Sequence, residues 1–337
     1  MIHFIPLENL EERYTILMNN IVNSSGLVTS YYPKGWVEKK INKGEFLDIE
    51  RTIEFKAKQL SMISRAFQRN EIKSGDWIFF ADIFFPGIDA VKYMSELQGI
   101  NIKVAAFNHA GRADETDFVQ RLGKWSDKVE EGYHRLCDLV FVGSEFHKKR
   151  VSSYFSYNQH RIKVTGCVWN NKKAFQTYPF LDRKEDIVIF PHRLAAEKGL
   201  TEFYEICWAM PDKKFIVTSS SNKECRAPLP DNVRYINNLT KREYYQWLSK
   251  SKYYLSTAYQ ETFGYTLREA LLYNCRVVVP NDVCYPEMLP KECLFERRDM
   301  ETIKKYLSDD YIIDEKYKFK YDNSFKEMID IINNFVI

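Results

Sequence analysis

Glycine is scarce in this chain, 13 of 337 residues. The scarcity matters because loops that come close to a phosphate draw on glycine for backbone freedom. Cysteine supplies no framework: its seven residues, at positions 137, 167, 207, 225, 275, 284 and 293, are scattered singly without a C-x-x-C pair. That pattern excludes a disulfide scaffold or zinc knuckle and predicts a reducing, cytoplasmic setting. No run approaches the roughly 20 apolar residues that cross a bilayer. Pro6 and the acids after it break the opening MIHFIPLENLEER, so it does not read as a signal peptide. Charge of one sign is missing too, with 49 Lys and Arg against 46 Asp and Glu and a net charge of +3. A histone-like mode of holding a polyanion is therefore excluded.

Aromatics are abundant at 15%, within a globular composition of 45% hydrophobic and 28% charged residues. The length suits two α/β domains rather than one small core. Short β-branched or aromatic runs alternate with amphipathic segments, predicting parallel sheets covered by helices. Strands are predicted near 2–5, 27–30, 77–81, 102–107, 139–143 and 161–165, then near 187–190, 215–219, 233–236, 253–256 and 276–280. Helices are predicted over 8–22, 46–70, 87–97, 117–136 and 145–154, then over 201–210, 241–249 and 265–273. Runs such as IVIF and RVVVP are continuously apolar, as expected of strands buried on both faces. The segment VWNNKKAFQTYPFLDRKE has no period and reads as a linker. The expected organisation is a Rossmann-like domain over 1–168, a linker over 169–185, a second Rossmann-like domain over 186–321, and an amphipathic tail, 322–337, packing back across the hinge.

Chemistry concentrates in two strand–loop–helix segments of the second half. In PHRLAAEKGL, Pro191 follows a strand, Arg193 and Lys198 lie on the loop, and Gly199 relaxes the turn into a helix. A guanidinium fork, an ammonium and free N–H groups at a helix start suit a diphosphate. In STAYQETFGYTLREALL, Glu261 lies in the loop and Glu269 stands eight positions on, inside the helix. Such carboxylates can accept hydrogen bonds from sugar hydroxyls, and Thr262, Phe263 and Gly264 form a second phosphate seat beside them.

Together, R-L-x-x-E-K-G-L, E-x7-E within ETFGYTLREA, the strand Cys275–Pro280 and the Pro286-Glu287 pair resemble the C-terminal domain of family-4 retaining glycosyltransferases of GT-B fold, over roughly residues 185–310. The resemblance implies an α/β fold of two Rossmann-like parallel-sheet domains facing across a cleft, with acceptor bound by the N-terminal domain and donor by the C-terminal one. It implies that Arg193 and Lys198 bind the donor diphosphate, that Glu261 faces the transferred sugar, and that Glu269 holds the ribose. It also implies no cofactor and no metal, the co-substrate being a nucleotide-diphosphate sugar, a UDP-sugar first. Asn274 and Cys275 depart from the small residue and glycine usual there. The loop Pro6-Leu7-Glu8-Asn9 likewise lacks the family's glycine-rich turn.

In the first half, Asp82 and His109 follow strands and are expected at the site, His109 resembling the family's cleft histidine. Asp117 reads as a first-turn acid and His147–Arg150 as a solvated helix face. The segment YYPKGWVEKKINK interleaves Tyr31, Tyr32 and Trp36 with Lys34, Lys39, Lys40 and Lys43, which suits stacking on bases and contact with phosphates. With the Asn-, Lys-, Tyr-, Phe- and Ile-rich composition typical of AT-rich genomes, including those of many phages, this points to a hydroxymethylated base in DNA as acceptor. A saccharide, a lipid headgroup or a small molecule are the alternatives. A nucleotide-sugar epimerase or phosphorylase, or a binding module without activity, are the competing classes.

Overall fold

The computed structural model describes residues 1–10, 14–37, 48–156, 158–219 and 230–335. The chain divides into two compact units. The first runs from Met1 to Trp169 and takes in the segment from Asn323 onward; the second spans Asn170–Asp322.

Six parallel strands form the sheet of the first unit: β1 (Ile2–Ile5), β2 (Thr29–Ser30), β3 (Trp77–Phe80), β4 (Lys103–Asn108), β5 (Leu139–Val142) and β6 (Ile162–Val164), in the order β2-β1-β3-β4-β5-β6. Every residue of β1, β3 and β5 is buried. Helices on both faces therefore set the continuous apolar pattern of these strands. The chain direction across the sheet reverses between β1 and β3, which pair directly. In open parallel sheets that crevice is where ligands bind, outside the carboxyl ends of the strands.

The second unit repeats this plan with β7 (Glu185–Phe190), β8 (Lys214–Ser219), β9 (Val233–Asn237), β10 (Ser251–Leu255), β11 (Arg276–Pro280) and β12 (Leu294–Phe295). Their order is β12-β11-β10-β7-β8-β9, again all parallel. Relative to its own first strand this is the doubly wound Rossmann order, with the reversal between β7 and β10. The two predicted motif loops leave those two strands.

Several expectations are corrected. The region predicted as a single helix over 117–136 is a 3₁₀ turn, Phe118–Arg121, followed by a helix, Trp125–Leu136. Asp117 caps the turn by accepting from the Val119 N–H at 3.0 Å, and Gly123 lies between the two pieces. Within the span read as a linker, Asn170 caps a short helix over Asn171–Thr177. The tail forms a helix, Ser324–Asn333, that belongs to the first unit; Phe325 packs edge-on against Phe4 and the Ser324 hydroxyl donates to the Cys167 carbonyl at 2.8 Å. The first helix begins only at Thr15 and the second at Ile49; residues 11–13 and 46–47 of the predicted helices lie outside the described residues. The six cysteines among the described residues are buried and none of them is in a disulfide.

Candidate functional site

In the second unit the two strand-end loops are sewn to one another. Gly199 has φ +70° and precedes the helix Leu200–Ala209. A Cβ there would stand 2.0 Å from the Thr257 carbonyl oxygen, so the approach of the loop after β7 to the loop after β10 requires glycine. The Thr257 hydroxyl lies 2.9 Å from both the Lys198 and Gly199 carbonyls, and the Tyr259 N–H donates to the Glu197 carbonyl at 2.9 Å. Arg297, not singled out from sequence, braces the same place. Its guanidinium donates to the Thr257 carbonyl at 2.9 Å and the Ala258 carbonyl at 2.6 Å, and pairs with Glu202 at 3.0 Å.

On this scaffold Lys198 is nearly buried, and its Nζ donates to the Gln260 carbonyl at 2.8 Å and lies 3.5 Å from Glu261 Oε2. The other Glu261 oxygen accepts from the Gly264 N–H at 3.0 Å. Gly264, at φ +77°, opens the helix Tyr265–Leu272. One carboxylate thus joins the ammonium of one loop to the helix start of the other. Arg193 is half-exposed and pairs with Glu197 at 2.6 Å. Burial pushes the His192 imidazole well below its ordinary pKa, and the positive charges of Lys198 and Arg193 push the same way. The neutral ring lies 3.4 Å from the Tyr254 hydroxyl, which in turn bonds Thr266 at 2.9 Å. Pro191 and Phe263 are buried, Phe263 against Tyr321, and Thr262 is half-buried.

Glu269 has a different setting. It is buried, and three side chains hold it: Lys241 Nζ and the Tyr245 hydroxyl on Oε1, both at 2.7 Å, and the Tyr244 hydroxyl on Oε2 at 2.8 Å. A carboxylate offers about four acceptor positions, so most of its capacity is already taken. Lys241, Tyr244 and Tyr245 were missed because they lie in the first turns of the helix Lys241–Lys250, 24–28 residues before Glu269, and nothing in that stretch refers to it. Asn274, where a small residue was expected, has φ +57° and ends the helix in the left-handed region that asparagine tolerates.

In the first unit Asp82 follows β3 at the reversal point, with Lys56 Nζ 3.0 Å from its Oδ2 and the Phe84 N–H donating to Oδ1 at 3.1 Å. Burial alone would raise its pKa, but Lys56 and His109 outweigh burial and hold the carboxyl below its usual range. His109 Nε2 lies 2.9 Å from the Ala81 carbonyl and Nδ1 3.3 Å from the Tyr14 hydroxyl. Burial lowers its pKa against the opposing pull of Asp82. Asp82, His109 and Lys56 therefore form one electrostatic cluster, with Lys56 buried and Asp82 and His109 partly buried. Lys56 was missed, although its place beside Phe55 and Gln59 puts it on the inward face of the helix Ile49–Gln68. The glycine-free loop after β1 is held by side chains instead: Gln59 Nε2 donates to the Pro6 carbonyl at 2.9 Å, and Asn19 Nδ2 to the Leu7 carbonyl at 2.8 Å.

The aromatic segment does not present open stacking faces. Tyr31 is buried, with its hydroxyl 2.9 Å from His3 Nδ1. Tyr32 and Trp36 both pack on Phe55. The Trp36 indole donates to Glu8 at 2.8 Å, while the Arg51 guanidinium and Lys58 ammonium lie over its ring at 4.4 and 4.5 Å. Lys34 is exposed; Lys39, Lys40 and Lys43 lie outside the described residues. His147, read as part of a solvated helix face, is instead buried on the helix Glu145–Phe155.

No family model matches this chain. A tRNA-queuosine alpha-mannosyltransferase of Drosophila melanogaster is 25% identical over 180 residues, half of this chain and 46% of that protein; the match thus spans less than half the length of that relative. Among solved structures, sucrose-phosphate synthase from Thermosynechococcus elongatus superposes with a TM-score of 0.62 at 15% identity, over 98% of this chain and 94% of that one. Anabaena HepE in complex with UDP and glucose superposes with a TM-score of 0.61 at 11% identity, over 99% of both chains. The chain has the two-domain α/β fold of the GT-B glycosyltransferases.

Proposed function

We propose that this protein is a glycosyltransferase that moves a sugar, with retention, from a nucleoside-diphosphate sugar to a hydroxyl on a modified nucleobase in nucleic acid. The observation that carries the donor half is the meeting of Lys198, Glu261, Gly199 and Gly264 at the reversal point of the second unit's sheet. There a diphosphate finds an ammonium, the nearby guanidinium of Arg193, and the N–H groups of two helix starts. The solved relative with UDP and glucose supports a UDP-sugar as donor. For the acceptor, the hydroxymethylated DNA base expected from sequence and the tRNA-queuosine in the fly relative's name both point to a nucleoside within nucleic acid.

In this reading the sugar–phosphate bond breaks as the sugar becomes oxocarbenium-like, and Lys198 and Arg193 take up the charge developing on the leaving diphosphate. Fixed charges of this kind need no reorganisation during the reaction. Glu261 orients the sugar through its hydroxyls, which compete with Lys198 for the same carboxylate. Glu269 holds the ribose through the acceptor capacity that Lys241, Tyr244 and Tyr245 leave. The acceptor hydroxyl attacks from the face the diphosphate leaves, and a departing phosphate oxygen takes its proton. The Asp82–His109–Lys56 cluster of the first unit is assigned to acceptor binding. The test is incubation with UDP- and GDP-sugars and either tRNA or hydroxymethylated DNA, followed by digestion and mass analysis of the nucleosides. A hexose or pentose added to a nucleoside is the expected result; donor thermal shift without any nucleoside product refutes the acceptor assignment.

A further inference from the structure

A second cationic feature lies in the first unit, away from the groups discussed so far. The turn Gln159–Arg161, the start of β6 and the end of the helix Ser324–Asn333 enclose an open pocket of about 660 Å³ lined by Asn158, His160, Arg161, Lys163, Asn334 and Phe335, with Ile331. Its chemistry is one-sided. Arg161 makes a single long contact, to the Cys137 carbonyl at 3.5 Å, and among the described residues neither Arg161 nor Lys163 has a carboxylate partner. Of the two acids on the adjoining helix, Asp330 is already paired with Lys326 at 2.6 Å, and Glu327, in its first turn, is not among the residues lining the pocket. Phe335 gives an aromatic wall, fixed edge-on against Trp77 and carrying Lys103 Nζ 5.1 Å from its centroid. Two carboxamides complete the lining. The set therefore offers a guanidinium fork, an ammonium, a histidine and a π-face, with no carboxylate among the described residues that line it.

Arg161 and Lys163 flank the amino end of β6, whereas Asp82 and His109 follow the carboxyl ends of β3 and β4 in the same parallel sheet. Strands of this length separate the two ends by roughly 13–20 Å. One strand of a duplex, rising about 3.4 Å per nucleotide along the helix axis, would cover that distance in roughly four to six nucleotides. The exposure of Asn158, His160, Arg161 and Asn334 suits a chain passing over the surface rather than an enclosed small ligand.

We propose that this pocket is an anion site for phosphodiester groups of the nucleic-acid acceptor, holding the backbone while the target base is presented elsewhere. The inference rests on the acceptor class proposed above, but its geometry is independent of the donor site. It explains how a chain of net charge +3 would grip a polyanion, with local cations doing what the overall charge does not.

The test is the double variant R161Q/K163Q, read by fluorescence anisotropy with fluorescein-labelled tRNA and with a labelled DNA oligonucleotide between 50 and 200 mM salt. Two lost phosphate contacts should lower the slope of log affinity against log salt by about 1.4–1.8. Affinity at the lowest salt should fall by about tenfold or more. UDP binding, measured on the same samples, should be unchanged and certifies the fold. Unchanged polynucleotide affinity and slope overturn the inference. So does a variant that loses only inorganic phosphate binding, which would mark a free-phosphate site. Failure of the wild-type protein to bind UDP would instead refute the donor reading and leave the anisotropy result to stand on its own.

Discussion

Replacing Glu130 by glutamine should change how stability depends on pH, and the sign follows from where this carboxyl sits. Glu130 is fully buried on the helix Trp125–Leu136; Oε2 accepts from the Arg112 N–H at 2.9 Å, while Oε1 has no hydrogen-bond partner. Burial pushes its pKa from an ordinary 4.5 up to about 8, only partly offset by the Arg112 N–H. The folded protein therefore keeps a proton that the unfolded chain has lost, and stability falls as pH rises between those values. At 1.36 kcal/mol for each factor of ten, the whole span is worth up to about 5 kcal/mol. Glutamine has nearly the same shape and no titration, so E130Q should match the parent near pH 5 and exceed it increasingly toward pH 8. An acid limb should survive in both proteins. Burial holds His134 and His147 down at about 3, so they stay neutral in the fold while the unfolded chain binds protons below about 6.5. Their stabilisation is present above that value and lost as pH falls through it. Urea melts at pH 5, 6, 7 and 8 on both proteins check the difference. Parallel stability curves for E130Q and parent would show that Glu130 is ionised in the fold, and the reasoning would fail.

Other expectations concern the second unit. Lys198→Ala and Arg193→Ala should each lower turnover by at least ~100-fold, the scale seen when one transition-state charge partner is removed; near-parental turnover in both would refute their assignment to the diphosphate. Gly199→Ala forces a Cβ onto the Thr257 carbonyl at a positive φ, so the two loops must part. A cost of about 2 kcal/mol or more in stability and loss of UDP binding by calorimetry are expected. Arg297→Ala removes bonds to two carbonyls and to Glu202 and should cost about 3 kcal/mol. Its KM for donor should rise, because the loop carrying Glu261 loses its brace, and an unchanged KM would confine Arg297 to stability.

The sequence alone determined the order of the elements, because strands buried on both faces must be continuously apolar, and only helices between them can return the chain to a parallel sheet. It also marked Gly199 and Gly264, since in a glycine-poor chain the few at strand ends stand out. What it left to the tertiary structure were contacts between residues distant in sequence. Nothing near Glu269 announces that Lys241, Tyr244 and Tyr245, on another helix, will saturate most of its oxygens, and nothing near Trp36 announces that Glu8 and Arg51 will claim its ring. The mixed period around Lys56 reads equally as an exposed charge until the helix is docked. Only docking turns it toward Asp82. Likewise the helix after Asn323 carries no label for the unit it joins; Phe4 settles that by offering an apolar surface on which Phe325 is buried. Local pattern decides which face of an element is apolar, and the packing of remote segments decides which polar groups end up sharing a charge.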